Sequence, residues 1–282
     1  MDIFSYWDSG RDKAPAVVQK CFQRWEDLNP EHRLVVLNAH DLRDVLSDLP
    51  FDVGTLPVQA QSDILRVRLL RLHGGAWVDA TLLPVLPLDL WHDTYVGTTG
   101  FFVFAGPPVH WRLGTFLILA QAGNPFIQAL DQANRDYWTH PRQAYDVQLR
   151  PTWRMGRQFA RSMMKRGNGL EYLRFFRKWR KDLLYPVSDD GRRSRYFPYF
   201  WQHYLMMQLA ETDPKMQAIV DSMTYRQYDL CHTVQGVRHG LGPDFPKAVP
   251  MALRCSPVQK LDWRVDWPDE VFKVPPAETV LI

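Results

Sequence analysis

The stretch Ser62-Asp63-Ile64-Leu65-Arg66-Val67-Arg68-Leu69-Leu70-Arg71-Leu72-His73-Gly74-Gly75-Ala76-Trp77-Val78-Asp79-Ala80-Thr81 decides how the fold is read. Ile64, Leu65, Leu69, Leu70 and Leu72 fall at helical spacing, and Pro57 suits the opening turn of that helix. Gly74-Gly75 ends it, as glycine does at a helix C-terminus, and lets the chain double back tightly. Ala76-Trp77-Val78 then reads as a strand aimed at Asp79. Asp63 and Arg66 are three apart and share a helix face. Asp79 emerges at the C-terminal end of a strand, where open α/β sheets place ligand-binding groups. A carboxylate there can hold a divalent cation, and a cation beside a diphosphate neutralises leaving-group charge. The pattern leaves two readings open. One is an anionic-ligand or metal site. The other is an Asp–Arg helix pair beside a solvated strand-end Asp.

The same alternation extends outward. Ile3–Trp7 is a short β-rich run. Pro15 opens a helix in which Val17, Val18, Cys21, Phe22 and Trp25 recur at helical spacing, and Asn29-Pro30 stops it. Leu34–Leu37 is a continuous apolar run of the buried-strand type. Asp41–Leu49 reads as a short helix and Phe101–Ala105 as another strand. This β-α-β-α-β series predicts an α/β sheet with helices on its faces. The second half is more helical. Asn124-Pro125 starts a helix reaching Trp138, two basic helices broken at Gly167-Asn168-Gly169 follow, and the polar loop Ser188–Arg195 comes next. Pro198–Glu211 reads as an aromatic-rich helix and Asp213-Pro214 as the start of another ending near Met223. The last sixty residues, with many Gly and Pro, read as short strands and loops. No repeat or linker divides the chain, so one domain over residues 1–282 is expected, with a basic helical insertion at about 150–185.

The composition excludes several classes. The chain has 282 residues, 46% hydrophobic and 23% charged, so it is not disordered. The apolar stretch Phe116–Ala122 falls far short of the roughly 18 residues a membrane span needs. Met1-Asp2-Ile3-Phe4 lacks the basic start and apolar run of a signal peptide. Three unspaced cysteines, Cys21, Cys231 and Cys255, fit no disulfide framework. These features predict a cytoplasmic protein. Eleven Trp residues supply core, and such rings also stack on sugars and nucleobases. The formal charge of +3 is unevenly spread. Residues 150–181 hold eleven basic side chains against Glu171 alone, a net +10, which leaves −7 on the rest. Arg154, Arg157, Arg161 and Lys165 recur at helical spacing, and Arg174, Arg177, Lys178, Arg180 and Lys181 are interleaved with Phe175, Phe176 and Trp179. A basic helix pair with bulky apolar residues suits the anionic face of a membrane, here the inner face of the cytoplasmic membrane. A solvated helical face fits too. Nucleic acid is not the expected partner.

The motifs of P-loop NTPases, dinucleotide-binding dehydrogenases, zincins and ordinary α/β-hydrolases are absent. Cys231, His232, His239 and Cys255 match no standard zinc spacing. Asp189-Asp190-Gly191 reads as a turn.

The segment from Ser62 to Thr81 resembles the sugar-nucleotide signature of glycosyltransferase family 32 and its relatives. These include bacterial capsular polysaccharide synthesis proteins, yeast initiating mannosyltransferases and large clostridial glucosylating toxins. Their pattern is a Ser-Asp-x-x-Arg helix, Gly-Gly, an aromatic and Asp-x-Asp. Asp79-Ala80-Thr81 is similar to the Asp-Ala-Thr of the capsular subgroup. So are Tyr6-Trp7-Asp8-Ser9-Gly10, the Trp25–Pro30 element, the aromatic-His run Tyr196–Tyr204 and the Lys-Leu-x-Trp run Lys260–Trp263.

The resemblance implies a GT-A fold and transfer of a sugar, with retention, from a nucleotide-sugar donor, a UDP-sugar first, to a capsular or lipopolysaccharide-type glycan or its lipid-linked form. Asp63 and Arg66 match the pair that grips the donor sugar and pyrophosphate. Gly75 and Trp77 precede the metal motif among the donor-binding positions. Asp79 matches the first Asp of Asp-x-Asp, which contacts ribose and metal. Trp7, or Tyr6, takes the base-stacking position. Thr81 departs from the pattern by replacing the second Asp. A Mn²⁺ or Mg²⁺ ion would then be held weakly, by Asp79, diphosphate and water, or be dispensable, with Lys260 neutralising the departing diphosphate. His203 is expected as an acceptor or donor contact, or as a satisfied core histidine. His232 or His239 is the candidate for a late histidine ligand. A toxin-like transferase acting on protein and a non-catalytic sugar- or polyanion-binding module are the alternatives.

Overall fold

The computed structural model describes residues 1–106, 113–144, 196–197, 200–273 and 275–281. The basic segment 150–181, the loop 188–195 and the turn at Asp189-Asp190-Gly191 lie outside the described residues, as do Pro198 and Tyr199.

Five strands form the central sheet in the order β2-β1-β3-β6-β5. They are β1 (Asp2–Tyr6), β2 (Arg33–Leu37), β3 (Gly75–Val78), β5 (Phe101–Ala105) and β6 (Leu113–Ala120). β1 pairs in parallel with both β2 and β3, while β6 runs antiparallel to both β3 and β5. Successive side chains of a strand point to opposite faces. Every residue of β5 and β6 is buried, as are Ala76, Trp77 and Val78 of β3, so both sheet faces are covered there. Helix α1 (Ala16–Leu28) packs on β2 and on β4 (Leu82–Pro84) through Val18, Cys21, Phe22 and Trp25, and Trp25 Nε1 donates to Leu82 O at 2.8 Å. Helix α2 (Ala39–Val45), capped at both backbone and side chain by Asn38 and Asp41, packs against α3 (Val58–His73). In turn, α3 lies on β1 and β3 and against α5 (Pro125–Tyr137). The short helix α4 (His92–Val96) precedes β5. This is the mixed α/β fold the sequence predicts, a mostly parallel sheet flanked by helices, and it is consistent with the GT-A arrangement.

The turn from α3 into β3 can be built only with glycine. Gly74 has φ 66° and Gly75 φ 97°. A Cβ on Gly74 would meet Ala122 N at 2.5 Å, and one on Gly75 would meet Asp2 O at 2.4 Å. The close approach of Gly75 to β1 threads β3 beside it and delivers Asp79 at the far end.

Four expectations need correction. Leu34–Leu37 is not a fully buried strand. β2 is the sheet edge, and Leu34, Val35 and Val36 are only half-buried. Phe116–Ala122, read only as an apolar run, belongs largely to β6, the antiparallel strand between β3 and β5. The aromatic helix begins three residues later than its proline suggests, as α6 (Trp201–Thr212), with α7 (Pro214–Ser222) following. The final sixty residues are not mainly strands and loops. They hold α8 (Thr233–Leu241) and α9 (Phe245–Leu253), despite Gly236, Gly240 and Pro250, because Val234, Phe245, Val249, Ala252 and Leu253 are buried. Tertiary burial overrides weak propensity there. The chain then returns as β9 (Val258–Lys260), antiparallel to β4. A two-residue parallel bridge joins β7 (Gln143–Ala144) and β8 (Tyr196–Phe197). Among the described residues no helix is long and apolar enough to cross a membrane.

Charge holds α3 to α5. Asp131, 2% exposed, accepts from Arg68 Nε at 2.9 Å and faces Arg71 and Arg135 at 3.3 Å each. Arg68 is itself buried and also reaches Asp48 at 2.6 Å. Removing Asp131 leaves a buried guanidinium short of its partner. Asp131→Ala should cost about 3–5 kcal/mol of unfolding free energy. A lowered urea midpoint at unchanged slope is the expected result, and a loss below about 1 kcal/mol would show that Asp48 suffices.

Candidate active site

The C-terminal end of β3 opens into a cleft of about 680 Å³. Four elements of the chain meet on its wall. Asp63 and Arg66 come from α3, Asp79 follows β3, Lys260 ends β9, and His203 comes from α6. Backbone pairing places the lysine. Leu82 of β4 stands opposite Lys260, and Leu261 N donates to Thr81 O at 2.9 Å. Gln235 of α8 holds the Lys260 carbonyl at 2.9 Å.

Asp79 is the hub. Its Oδ2 accepts from Lys260 Nζ at 2.9 Å, and its Oδ1 accepts from Arg66 Nη2 at 3.2 Å and Trp77 Nε1 at 3.1 Å. Lys260 Nζ also donates to Thr81 Oγ1 at 2.7 Å. Arg66, with a side chain only 5% exposed, pairs through Nη1 with Asp63 at 2.6 Å and with Gln202 Oε1 at 3.0 Å, and lies over the Trp77 ring at 5.3 Å. Gln202 closes the loop by donating from Nε2 to the Asp63 carbonyl. The guanidinium is therefore fixed from both sides before any ligand arrives.

The two carboxylates are driven apart in acidity. Burial raises the Asp63 carboxyl to about 6, with Arg66 opposing the shift and Asp79 adding to it. Burial pushes Asp79 upward too, but Lys260 and then Arg66 outweigh it and hold that carboxyl at about 2. Divergent acidities of neighbouring carboxyls in a cleft are a mark of functional sites.

Two aromatic side chains frame the opening. Trp7, half-buried, meets Trp263 edge to face with centroids 5.9 Å apart, and Trp263 is 42% exposed. Tyr6 lines the cleft but is buried, its hydroxyl within 2.8 Å of Gln61 Oε1 and 3.0 Å of Asp8 Oδ1. Trp7 is thus the ring better placed to stack on a flat ligand.

Of the residues expected from sequence, Tyr6, Trp7, Asp63, Arg66, Asp79, Thr81, His203 and Lys260 all line this one cleft. Gly75 and Trp77 do not. Gly75 sits at the opposite end of β3 against Asp2, and Trp77 is fully buried. Trp77 acts on the site through its indole N–H to Asp79. The sequence assigns no role in the site to Gln202, Gln235 or Trp263. Gln202 and Trp263 sit inside the two flanking motifs, Gln202 one position before His203. His232 lines the cleft, stacked on Tyr228 at 4.6 Å. Burial lowers its pKa below the ordinary imidazole value. His239 is exposed outside the cleft lining, and the Cys231 thiol is buried against Ser256.

The donor set does not fit a divalent cation. Both Asp79 oxygens are committed to cationic or N–H donors, and Thr81 already accepts from an ammonium. Among the described residues no group of three or more His, Cys, Asp or Glu could hold a metal ion.

The acidities are open to direct test by carboxyl-carbon NMR. Asp63 should titrate near pH 6 and Asp79 near pH 2. Asp63 binds its proton more tightly when folded than its ordinary 3.8 allows, so its contribution to stability falls as pH rises between 3.8 and about 6. Asp79 runs the other way. Its stabilisation is present above 3.8 and is lost as pH falls towards about 2. In Lys260→Met the Asp79 midpoint should climb towards the ordinary carboxylate range. An unchanged midpoint would show that the ion pair does not hold it.

Comparison with known proteins places the chain in a family. A family model described as capsular polysaccharide synthesis protein matches residues 1–149, which contain Asp63, Arg66, Asp79 and Thr81. The glycosyltransferase afumC of Aspergillus fumigatus (strain CBS 144.89 / FGSC A1163 / CEA10) is 27% identical over 158 residues, covering 49% of this chain and 40% of that protein. The chain thus spans less than half the length of this curated relative. Among solved structures, PaToxG Glycosyltransferase aligns with a TM-score of 0.32 and 14% identity, over 49% of this chain and 59% of that one. Because the family model covers more than half of its residues, the chain belongs to the capsular polysaccharide synthesis protein family.

Proposed function

We propose that this chain is a glycosyltransferase that moves a sugar from a nucleotide-sugar donor to a hydroxyl of a cell-surface glycan. The observation that carries the reading is the Asp79 hub. It fixes one guanidinium and one ammonium at the strand end of a cleft large enough for a nucleotide sugar. Trp7 and Trp263 offer ring faces at the same opening. The family membership and the resemblance of the glycosyltransferase afumC support the same class of reaction.

In this reading the base stacks on Trp7, and the diphosphate lies along Lys260 and Arg66. Asp63 accepts a hydrogen bond from a sugar hydroxyl, while Asp79 holds Arg66 and Lys260 in position. The glycosyl C1–O bond breaks and its electron pair stays on the β-phosphate oxygen. The acceptor oxygen bonds to C1 from the face the diphosphate leaves, which retains the configuration, and the acceptor proton passes to the departing diphosphate. His203 lines the cleft from α6 and, in this reading, contacts the acceptor. Preorganised cations stabilise the leaving charge without reorganising at the moment of reaction.

Calorimetry with a panel of UDP- and GDP-sugars, followed by donor-hydrolysis assays, tests this. At least one donor should bind and be hydrolysed, and Asp79→Asn should lower hydrolysis about 100- to 1,000-fold. Binding without turnover of any donor on any acceptor would instead favour a sugar-binding module. Full activity in Asp79→Asn would remove the site assignment.

We further infer from the charge of residues 150–181 that the protein docks on an anionic membrane surface, where lipid-linked glycans are assembled. Replacing Arg174, Arg177, Lys178 and Lys181 by Gln should weaken sedimentation with phosphatidylserine vesicles and leave donor hydrolysis unchanged. Equal loss of both would place the segment in the active site.

A further inference from the structure

We propose that Lys260 stands in for the divalent cation of this donor site, so that the chain binds and releases a nucleoside diphosphate without a metal. The inference rests on the transferase reading above and deepens it.

Position is the first argument. Lys260 Nζ lies 2.9 Å from Asp79 Oδ2 and 2.7 Å from Thr81 Oγ1. A small divalent cation bound to both oxygens at about 2.1 Å would occupy the space the ammonium fills. The second argument is charge. One carboxylate and one hydroxyl match a single positive charge. Two carboxylates would match a doubly charged ion, and Thr81 is where the second would stand. Thr81 and Lys260 are therefore complementary, a neutral acceptor facing a monovalent cation. Third, the remaining Asp79 oxygen already accepts from Arg66 and Trp77, so the carboxylate has no unengaged oxygen to offer a metal.

The lysine is built in rather than incidental. It sits on a strand paired with the segment that follows Asp79, its side chain is 21% exposed, and it lines the cleft. An ammonium has three N–H donors. Asp79 and Thr81 take two, and the third has no protein partner among the described residues. That donor is left for a phosphate oxygen. As the C1–O bond breaks, Lys260 keeps its proton and strengthens its hydrogen bond to the charged oxygen. The acceptor's proton, not the lysine's, neutralises the diphosphate.

Isothermal calorimetry of the full chain with UDP, GDP and inorganic pyrophosphate, each in EDTA and in Mn²⁺, tests the proposal. At least one probe should bind with the same Kd, within about twofold, in both buffers. Lys260→Met should weaken that binding about tenfold or more, and Lys260→Arg should restore most of it. The double change Thr81→Asp with Lys260→Met should bind only in Mn²⁺, and manganese EPR should then show an ion on the protein that the unaltered chain does not hold. Thermal melts of each variant check that it is folded. Binding by the unaltered chain that needs Mn²⁺ overturns the inference and leaves the transferase reading standing. Metal-independent binding that folded Lys260→Met keeps in full also overturns it. No binding of any probe in either buffer overturns the transferase reading and the inference with it.

Discussion

A carboxylate withdrawn from bulk water at the end of a buried strand must be paired, and Asp79 is paired from three directions. Arg66, Trp77 and Lys260 each donate to it. Two of these partners come from the chain immediately before it. The third arrives from β9, 181 residues later. The arrangement ties the C-terminal return of the chain to the N-terminal sheet. It also ties α6 in, because Arg66 is held by Gln202 as well as by Asp63. Geometry at the cleft therefore depends on an electrostatic knot more than on any one loop. Removing a member would leave another charge buried without its partner, which costs more than the pair itself contributes.

The knot has an internal logic. Asp63 and Asp79 both face Arg66, and a single guanidinium cannot fully compensate two buried carboxylates. Lys260 resolves the conflict in favour of Asp79, whose carboxyl stays strongly acidic, while Asp63 is left to titrate at about 6. One site thus contains a carboxylate that stays ionised at neutral and mildly acidic pH and a neighbour that responds to mildly acidic pH. The indole of Trp77 contributes in two ways, donating to Asp79 and offering its ring to Arg66. Its complete burial explains why an aromatic is useful before the acidic residue even though it cannot reach a ligand.

Local parts of this were legible in the sequence. The helix, glycine pair and strand from Ser62 to Thr81 follow from spacing and from the positive φ that only glycine tolerates there. The shared face of Asp63 and Arg66 follows from helical geometry. Long-range features were not readable from spacing. Nothing local shows that Lys260 reaches Asp79, and only the resemblance to known transferases brought it forward. Gln202 was hidden because an amide carries no pattern until its partners are known. A continuous apolar run such as Phe116–Ala122 fits a buried strand and a buried helix segment alike, so spacing alone does not fix β6. The helices α8 and α9 are not legible locally because Gly236, Gly240 and Pro250 argue against helix, while the buried faces that sustain them are set by tertiary contacts.

In the proposed function, Asp79 and Lys260 form a cradle for the diphosphate of a sugar nucleotide. A crystal structure grown with UDP or GDP in the presence of Mn²⁺ tests this most directly. The expected result is a diphosphate oxygen within about 3 Å of Lys260 Nζ, with the Lys260–Asp79 pair intact and the base against Trp7. A manganese anomalous peak on Asp79 with Lys260 displaced, or a nucleotide bound away from this cleft, would contradict it.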